Sequence, residues 1–205
     1  MNHKKVLRIM LKYNLLSWVR KRNPYKNIAK ATQEHRTCNN ILARVFDWIT
    51  PLSKLWTDIS YLYYKWNRAY LSILKDMISW EIVSHKLSSN LWIWFVLDTI
   101  EKAKNRLKNW SIIHSDQWFY YTNPNYQELL KKNWIIQSMS RRWNCLDNAP
   151  TESFFWHLKD EIDLSKYNNF KELEIIIENY IFHYNNERPQ WNKKRWLLFN
   201  TEIIY

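Results

Sequence analysis

Ile112-Ile113-His114-Ser115-Asp116-Gln117 is a short apolar run that closes on an acid. Asp147-Asn148-Ala149-Pro150-Thr151-Glu152-Ser153-Phe154-Phe155 opens a helix with another acid in its first turn. An interval of 35 residues separates Asp116 from Glu152. An acid at the end of a buried strand faces the crevice where sheet proteins present ligands. An acid in the first turn of a helix is favoured by the positive end of the backbone dipole. A third acid, Asp58 in Thr57-Asp58-Ile59-Ser60, sits mid-strand in an apolar segment, where an unpaired charge is costly. Taken singly, the two aspartates read equally well as strand-end caps and the glutamate as a helix-start acid. Taken together, three carboxylates on three elements can hold a pair of hard divalent cations and act on phosphodiesters.

The spacing of apolar residues around these acids sets the architecture. Residues 55–63, 69–77 and 81–87 read as three strands with short links, a meander. Residues 90–109 read as a helix, with Phe95, Leu97, Ile100, Ala103 and Leu107 at helical spacing. A short strand over 111–116, a helix over 124–133 with Pro124 near its start, and a strand over 135–140 follow. Helices over 149–161 and 170–184 complete the series, the first capped by Asp147 or Asn148. Three antiparallel strands followed by alternating helices and strands predict an α/β fold: a mixed five-stranded sheet with helices on its faces.

Charge is distributed unevenly. The net charge is +12, and residues 1–44 carry 11 Lys and Arg against one acid. A helix is expected over 4–22, with Val6, Ile9, Met10, Tyr13 and Leu16 on one face. Lys4, Lys5, Arg8 and Lys12 lie largely on the other, and Arg20, Lys21 and Arg22 follow before Pro24 breaks the pattern. Such a basic segment suits a polyanion, and nucleic acid is the obvious one. The expected organisation is a basic helical DNA-binding segment (1–44), a catalytic core (45–190) and a tail (191–205). Two cysteines without a Cys-x-x-Cys pair argue against a disulfide scaffold or a four-ligand zinc site, and His35-x-x-Cys38 offers only two ligands. The longest apolar run, Leu91 to Leu97, is too short to span a bilayer, and no signal peptide is apparent. The expected compartment is a reducing cytoplasm, with no membrane partner.

Other residues near the acids have two readings each. Lys159, seven residues after Glu152, shares its helix face and could hold a DNA phosphate or simply be solvated. His114 shares a strand face with Asp116 and either orients a ligand or water or packs in the core. Asn148 flanks Glu152 as a cap or as a substrate contact.

These motifs resemble the catalytic, orfB-type protein of bacterial insertion-sequence transposases, in the retroviral-integrase superfamily. The resemblance runs from about residue 1 to 190. It rests on Met1-Asn2-His3-Lys4-Lys5-Val6, Thr57-Asp58-Ile59-Ser60-Tyr61, His114-Ser115-Asp116-Gln117, the 147–155 stretch and Tyr184-Asn185-Asn186-Glu187-Arg188. It also includes the 35-residue interval and the basic residue seven after the glutamate. The resemblance implies a ribonuclease-H-like fold and an Asp-Asp-Glu triad of Asp58, Asp116 and Glu152. That triad would bind two Mg²⁺, with Mn²⁺ as a substitute, for cleavage and strand transfer at the ends of a mobile element. It further implies an upstream orfA-type partner, often fused by frameshifting, and a homo-oligomer on DNA. A nuclease that only hydrolyses and a non-catalytic DNA-binding protein are the alternatives.

The chain has no glycine and 14 tryptophans. Members of the resembled family carry glycine where Trp118, Trp143 and Trp156 stand, and the tail after Trp191 fits their usual ending poorly. Trp66 and Trp80 fall at expected hairpins, and Trp110 and Trp134 follow helix ends, all sites that favour a left-handed glycine. The simplest account is that UGA, read as Gly in some bacterial lineages and as Trp in others, encodes these positions. Trp191 is the expected genuine tryptophan.

Overall fold

The structure, a computed structural model, describes residues 2–13, 15, 37–42, 50–140 and 149–188. Arg20, Lys21, Arg22, His35, Trp143 and Asn148 lie outside these residues, as does the tail from Trp191. The backbone divides into two units, Met1–Glu34 and His35–Tyr205.

The first unit carries helix α1 (His3–Lys12). Asn2 caps it by accepting the Lys4 amide at 3.0 Å. Helix α1 ends at Lys12, where Tyr13 leaves helical geometry (φ −101°, ψ 10°), and residues 16–22 of the expected helix lie outside the described residues. The Leu15 amide then turns back onto the Met10 carbonyl at 2.9 Å. Lys4, Lys5, Arg8 and Lys12 are all exposed on α1.

The second unit is built on five strands: β1 (Lys54–Tyr64), β2 (Asn67–Asp76), β3 (Ile82–Ser88), β4 (Ile112–Ser115) and β5 (Ile136–Met139). Their order is β3-β2-β1-β4-β5. The meander is antiparallel, and β4 and β5 add in parallel. The expected mixed sheet is therefore the observed one. Its helices are α2 (Ile93–Ala103), α3 (Pro124–Lys132), α4 (Ala149–Glu161) and α5 (Phe170–Asn186). Helix α2 is shorter than the expected 90–109. It ends at Ala103, whose carbonyl takes both the Arg106 and Leu107 amides in a turn, while Leu107 still packs on the core.

Strand periodicity sorts the core into two layers. Leu55 and Ile59 of β1 join Phe95, Ile100, Tyr126 and Leu130 of α2 and α3 on one face. Leu62 and Tyr64 join Phe154, Leu158, Leu173 and Ile177 of α4 and α5 on the other. A fully buried leucine contributes roughly 1.5–3 kcal/mol, so the two layers clamp the sheet. Both sheet edges are covered. Asn39 accepts the Met139 amide, and Ser138 Oγ accepts the Ile41 and Leu42 amides at 3.0 and 3.3 Å, which lays residues 37–42 along β5. On β3, the Asn185 side chain of α5 pairs with both the amide and the carbonyl of Ile82.

Five described residues have positive φ: Leu52, Lys65, Trp80, Trp110 and Trp134. Trp80, Trp110 and Trp134 thus have the left-handed backbone expected of glycine there. At the β1–β2 hairpin the expectation shifts by one residue: Lys65, not Trp66, takes the positive φ, and Trp66 projects into solvent. Trp118 is not left-handed, and Trp156 lies inside α4, where a glycine would weaken the helix. Left-handed backbone costs a non-glycine residue about 1–2 kcal/mol. Trp110 and Trp134 are exposed and share one edge-on ring contact at 5.7 Å, which offsets only part of that strain. The double change Trp110→Gly, Trp134→Gly should therefore stabilise the chain by about 1–2 kcal/mol, whereas Trp156→Gly should cost about 1 kcal/mol. Urea denaturation of the variants measures both; a destabilised double variant would mean that the ring pair outweighs the strain.

Candidate active site

The register of β1 against β4 positions the two aspartates. Lys54 pairs with Ile112, Leu55 with Ile113 and Trp56 with His114, all in parallel. Two residues further along each chain, Asp58 and Asp116 come level. Side chains alternate along a strand, so both belong to the face of Trp56 and His114, on neighbours spaced about 4.8 Å apart. On that face of β1, Trp56 packs with Leu42 and Met77, and Leu62 and Tyr64 pack beneath α4 and α5. Asp58 and Ser60 fall in the polar gap between these apolar clusters.

Each aspartate is held by local amides. Asp58 Oδ1 accepts the Ile59 amide at 2.8 Å. Asp116 Oδ1 accepts the Trp118 amide at 2.9 Å, a turn that ends β4. Burial pushes the Asp116 carboxyl above its ordinary range, and the Trp118 amide only partly opposes it. Both acids bear on Tyr121. Burial holds this phenol well above its usual range, and the negative charges of Asp58 and Asp116 push it further. Tyr121, buried in the layer under α2 and α3, thus feels the charge of both carboxylates.

Glu152 stands exposed in the first turn of α4, whose opposite side buries Thr151, Phe154 and Leu158. Lys159, on the same helix, is coupled to Asp58: burial lowers the ammonium's pKa and the Asp58 charge raises it. It lines a cavity of about 290 Å³ with Tyr61, Tyr63 and Ile162. The structure thus gathers Asp58, Asp116 and, through Asp58, Lys159. It does not gather Glu152 onto the pair. Among the described residues, no three His, Cys, Asp or Glu side chains stand close enough to hold a metal ion. The donor set fits a hard cation in its chemistry, because Asp58 and Asp116 both offer carboxylate oxygens.

His114 is buried, with Nδ1 at 3.0 Å from Ser138 Oγ. Ser138 Oγ already accepts two amides, so its single proton is donated to Nδ1 and the ring proton is assigned to Nε2. Asp76, at the end of β2, closes a turn: it accepts the Leu52 and Ser79 amides and the Ser79 hydroxyl. Lys75 was not anticipated. It is fully buried mid-sheet, with its Nζ on the Pro150 carbonyl and the Tyr184 hydroxyl.

The chain is similar to known proteins. Two integrase core domain families match residues 50–145 and 133–190. A transposase-like protein of Haemophilus influenzae is 36% identical, covering 94% of this chain and 89% of that protein. The chain belongs to the integrase core family of insertion-sequence transposases. InsK of insertion sequence IS150 from Escherichia coli is 34% identical over 91% of this chain, which spans 66% of InsK's length. The catalytic core of HTLV-2 integrase, solved with magnesium, superposes with a TM-score of 0.57 at 15% identity, covering 72% of this chain and 96% of that one. The fold is thus the ribonuclease-H-like core of integrases and transposases, and the chain is of the DDE polynucleotidyl-transferase class that serves DNA transposition. Proteins of this class generally depend on a divalent metal. Among the described residues no helix is long and apolar enough to cross a membrane.

The raised pKa of Asp116 has a defined consequence for stability. The fold favours the neutral carboxyl, so this contribution is fully present below the ordinary aspartate range near pH 4 and is lost as pH rises through the raised value. Asp116→Asn keeps the acceptor for Trp118 and removes the charge. Its melting temperature should exceed that of the parent chain at about pH 7, and the gap should close by about pH 3. Calorimetry across that range checks it; a lower melting temperature at neutral pH would show that the ionised carboxylate is stabilising.

Proposed function

We propose that the chain cuts DNA at the ends of an insertion sequence and joins those ends to a target. Asp58, Asp116 and Glu152 are its metal-binding carboxylates in this reading. The observation that carries it is the parallel register of β1 against β4, which pairs Trp56 with His114 and so brings Asp58, and Asp116 just past the end of β4, to the same end of the sheet. Asp58 and Asp116 hold the cation side of the site, and α4 supplies Glu152 from its first turn. Two Mg²⁺, or Mn²⁺ in their place, would activate the attacking oxygen and stabilise the leaving one. Water for nicking, or a DNA 3′-hydroxyl for joining, attacks phosphorus in line as the bond to the departing 3′ oxygen breaks.

Lys159 places a positive charge beside Asp58, where it holds a phosphate of the bound strand. Residues 1–44 form the DNA-binding segment, with Lys4, Lys5, Arg8, Lys12, Arg20, Lys21 and Arg22 on the phosphate backbone. Residues 45–190 form the core and 191–205 the tail. The resemblance to orfB-type proteins supports an upstream orfA-type partner or a frameshift fusion with it, and a homo-oligomer on DNA. It also supports action in the cytoplasm.

Asp58→Asn, Asp116→Asn and Glu152→Gln are near-isosteric and remove one charge each. All three should lose Mg²⁺-dependent nicking and joining of labelled element ends by at least about a thousandfold, as loss of a main electrostatic stabiliser does. DNA binding should persist. Nicking retained in any one of them removes that residue from the site, and nicking without joining in the parent chain would make the protein a hydrolase. Replacing Lys4, Lys5, Arg8 and Lys12 together by alanine should flatten the log–log salt dependence of DNA binding by about 0.9 for each phosphate no longer neutralised. An unchanged slope would take α1 off the DNA.

A further inference from the structure

Lys75 lies in the apolar run Tyr70-Leu71-Ser72-Ile73-Leu74-Lys75 of β2 and is wholly buried. An ammonium in such a place is expensive to desolvate, and an unbranched apolar side chain would fill the same volume without that cost. What the lysine adds is a set of directed contacts. Its Nζ donates to the Pro150 carbonyl at 2.9 Å and to the Tyr184 hydroxyl at 3.0 Å. It also lies 5.4 Å from the centre of the Tyr184 ring and 4.5 Å from that of Trp80.

Pro150 is the second residue of α4, and Tyr184 belongs to the last turns of α5. The Tyr184 ring in turn meets Phe154 of α4 edge-on, with centroids 4.8 Å apart at 86°. Asn185, next to Tyr184, fixes that end of α5 to the backbone of β3 at Ile82. Arg188 pairs with Glu161 at the far end of α4. The Tyr184-Asn185-Asn186-Glu187-Arg188 stretch is therefore a clamp between two helices and the sheet, and Lys75 is its buried pin.

Glu152 lies midway between Pro150, held by Lys75, and Phe154, held by Tyr184. We propose that Lys75 is a positioning residue: it fixes the first turn of α4 and so sets where the Glu152 carboxylate stands relative to Asp58 and Asp116. This rests on the reading of Glu152 as a metal-binding carboxylate. The pin acts from the strand next to Asp58, since Lys75 pairs with Trp56 two residues before it. Through the pin, the β1–β2 ladder that carries Asp58 also holds the start of α4, while Asp116 is placed by the pairing of β1 with β4.

The test uses the full chain carrying Lys75→Met, which keeps the length of the side chain and removes the ammonium. Hydrogen exchange of amides 149 and 151–156 should be at least about tenfold faster, with the rest of the chain unaltered. The Mg²⁺ concentration for half-maximal nicking should rise about tenfold, the scale on which outer partners tune a metal site, and saturating Mg²⁺ should restore the rate. A role in stability alone would lower the melting temperature and leave the Mg²⁺ requirement unchanged, and that result overturns the proposal. If Lys75→Met does not fold, Tyr184→Phe carries the test. It retains the ring on Phe154 and removes the hydroxyl, and it should raise both exchange and Mg²⁺ requirement severalfold; no change in either overturns the proposal. Glu152→Gln separates the two readings. Nicking retained there overturns the metal-site reading and the pin's purpose with it. Nicking lost there, with an unchanged Mg²⁺ requirement in Lys75→Met, overturns the Lys75 assignment alone.

Discussion

The parallel pairing of β1 with β4 governs the acidic site. Because Trp56 faces His114 across that ladder, Asp58 and Asp116 come level on one face. A slip of one residue would send Asp58 to the opposite face, among the side chains of α2 and α3. The slip is prevented from both sides. Leu55 and Ile59 are committed to the layer under α2 and α3, and Leu62 and Tyr64 to the layer under α4 and α5. The charge at Asp58 is tolerated because it falls where the second face changes from one apolar cluster to the next. The hydrophobic pattern that closes the core therefore also specifies the chemistry.

Helix α4 joins this frame by a different kind of contact. Its buried side is apolar, and nonpolar packing alone fixes a helix less sharply than directed bonds do. The Lys75 ammonium and the Tyr184 hydroxyl supply direction at its start, and the Arg188–Glu161 pair at its end. Glu152 and Lys159 stand on the outer face of the helix so held. The two aspartates are thus placed by sheet register, and the helix that carries Glu152 and Lys159 by polar contacts that cross between elements.

Local pattern carried most of the fold into view. Short apolar runs marked the three meander strands, helical spacing marked α2 and α5, and Pro124 marked the start of α3. Element ends were less legible. Helix α1 stops at Tyr13 and α2 at Ala103 because the chain turns there, while the apolar spacing continues past both points. Asp58 and Asp116 could be picked out because acids are rare in apolar strands. His114 could not be assigned, since its partner Ser138 is 24 residues away on another strand. Lys75 was invisible for the same reason: its partners Pro150 and Tyr184 are 75 and 109 residues distant. A lysine within an apolar strand was the available signal. The tryptophans were legible by number and position, and the left-handed backbone at Trp80, Trp110 and Trp134 gives that reading a physical basis. It does not extend to Trp156, which sits in regular helix.

The central claim is that sheet register makes Asp58 and Asp116 one cation site, completed by Glu152. Calorimetric titration of the full chain with Mn²⁺ tests this without reference to DNA or turnover. The account predicts binding heat in the parent chain that is lost to the same extent in Asp58→Asn and in Asp116→Asn, and weakened in Glu152→Gln. Undiminished Mn²⁺ affinity in either aspartate variant would contradict it.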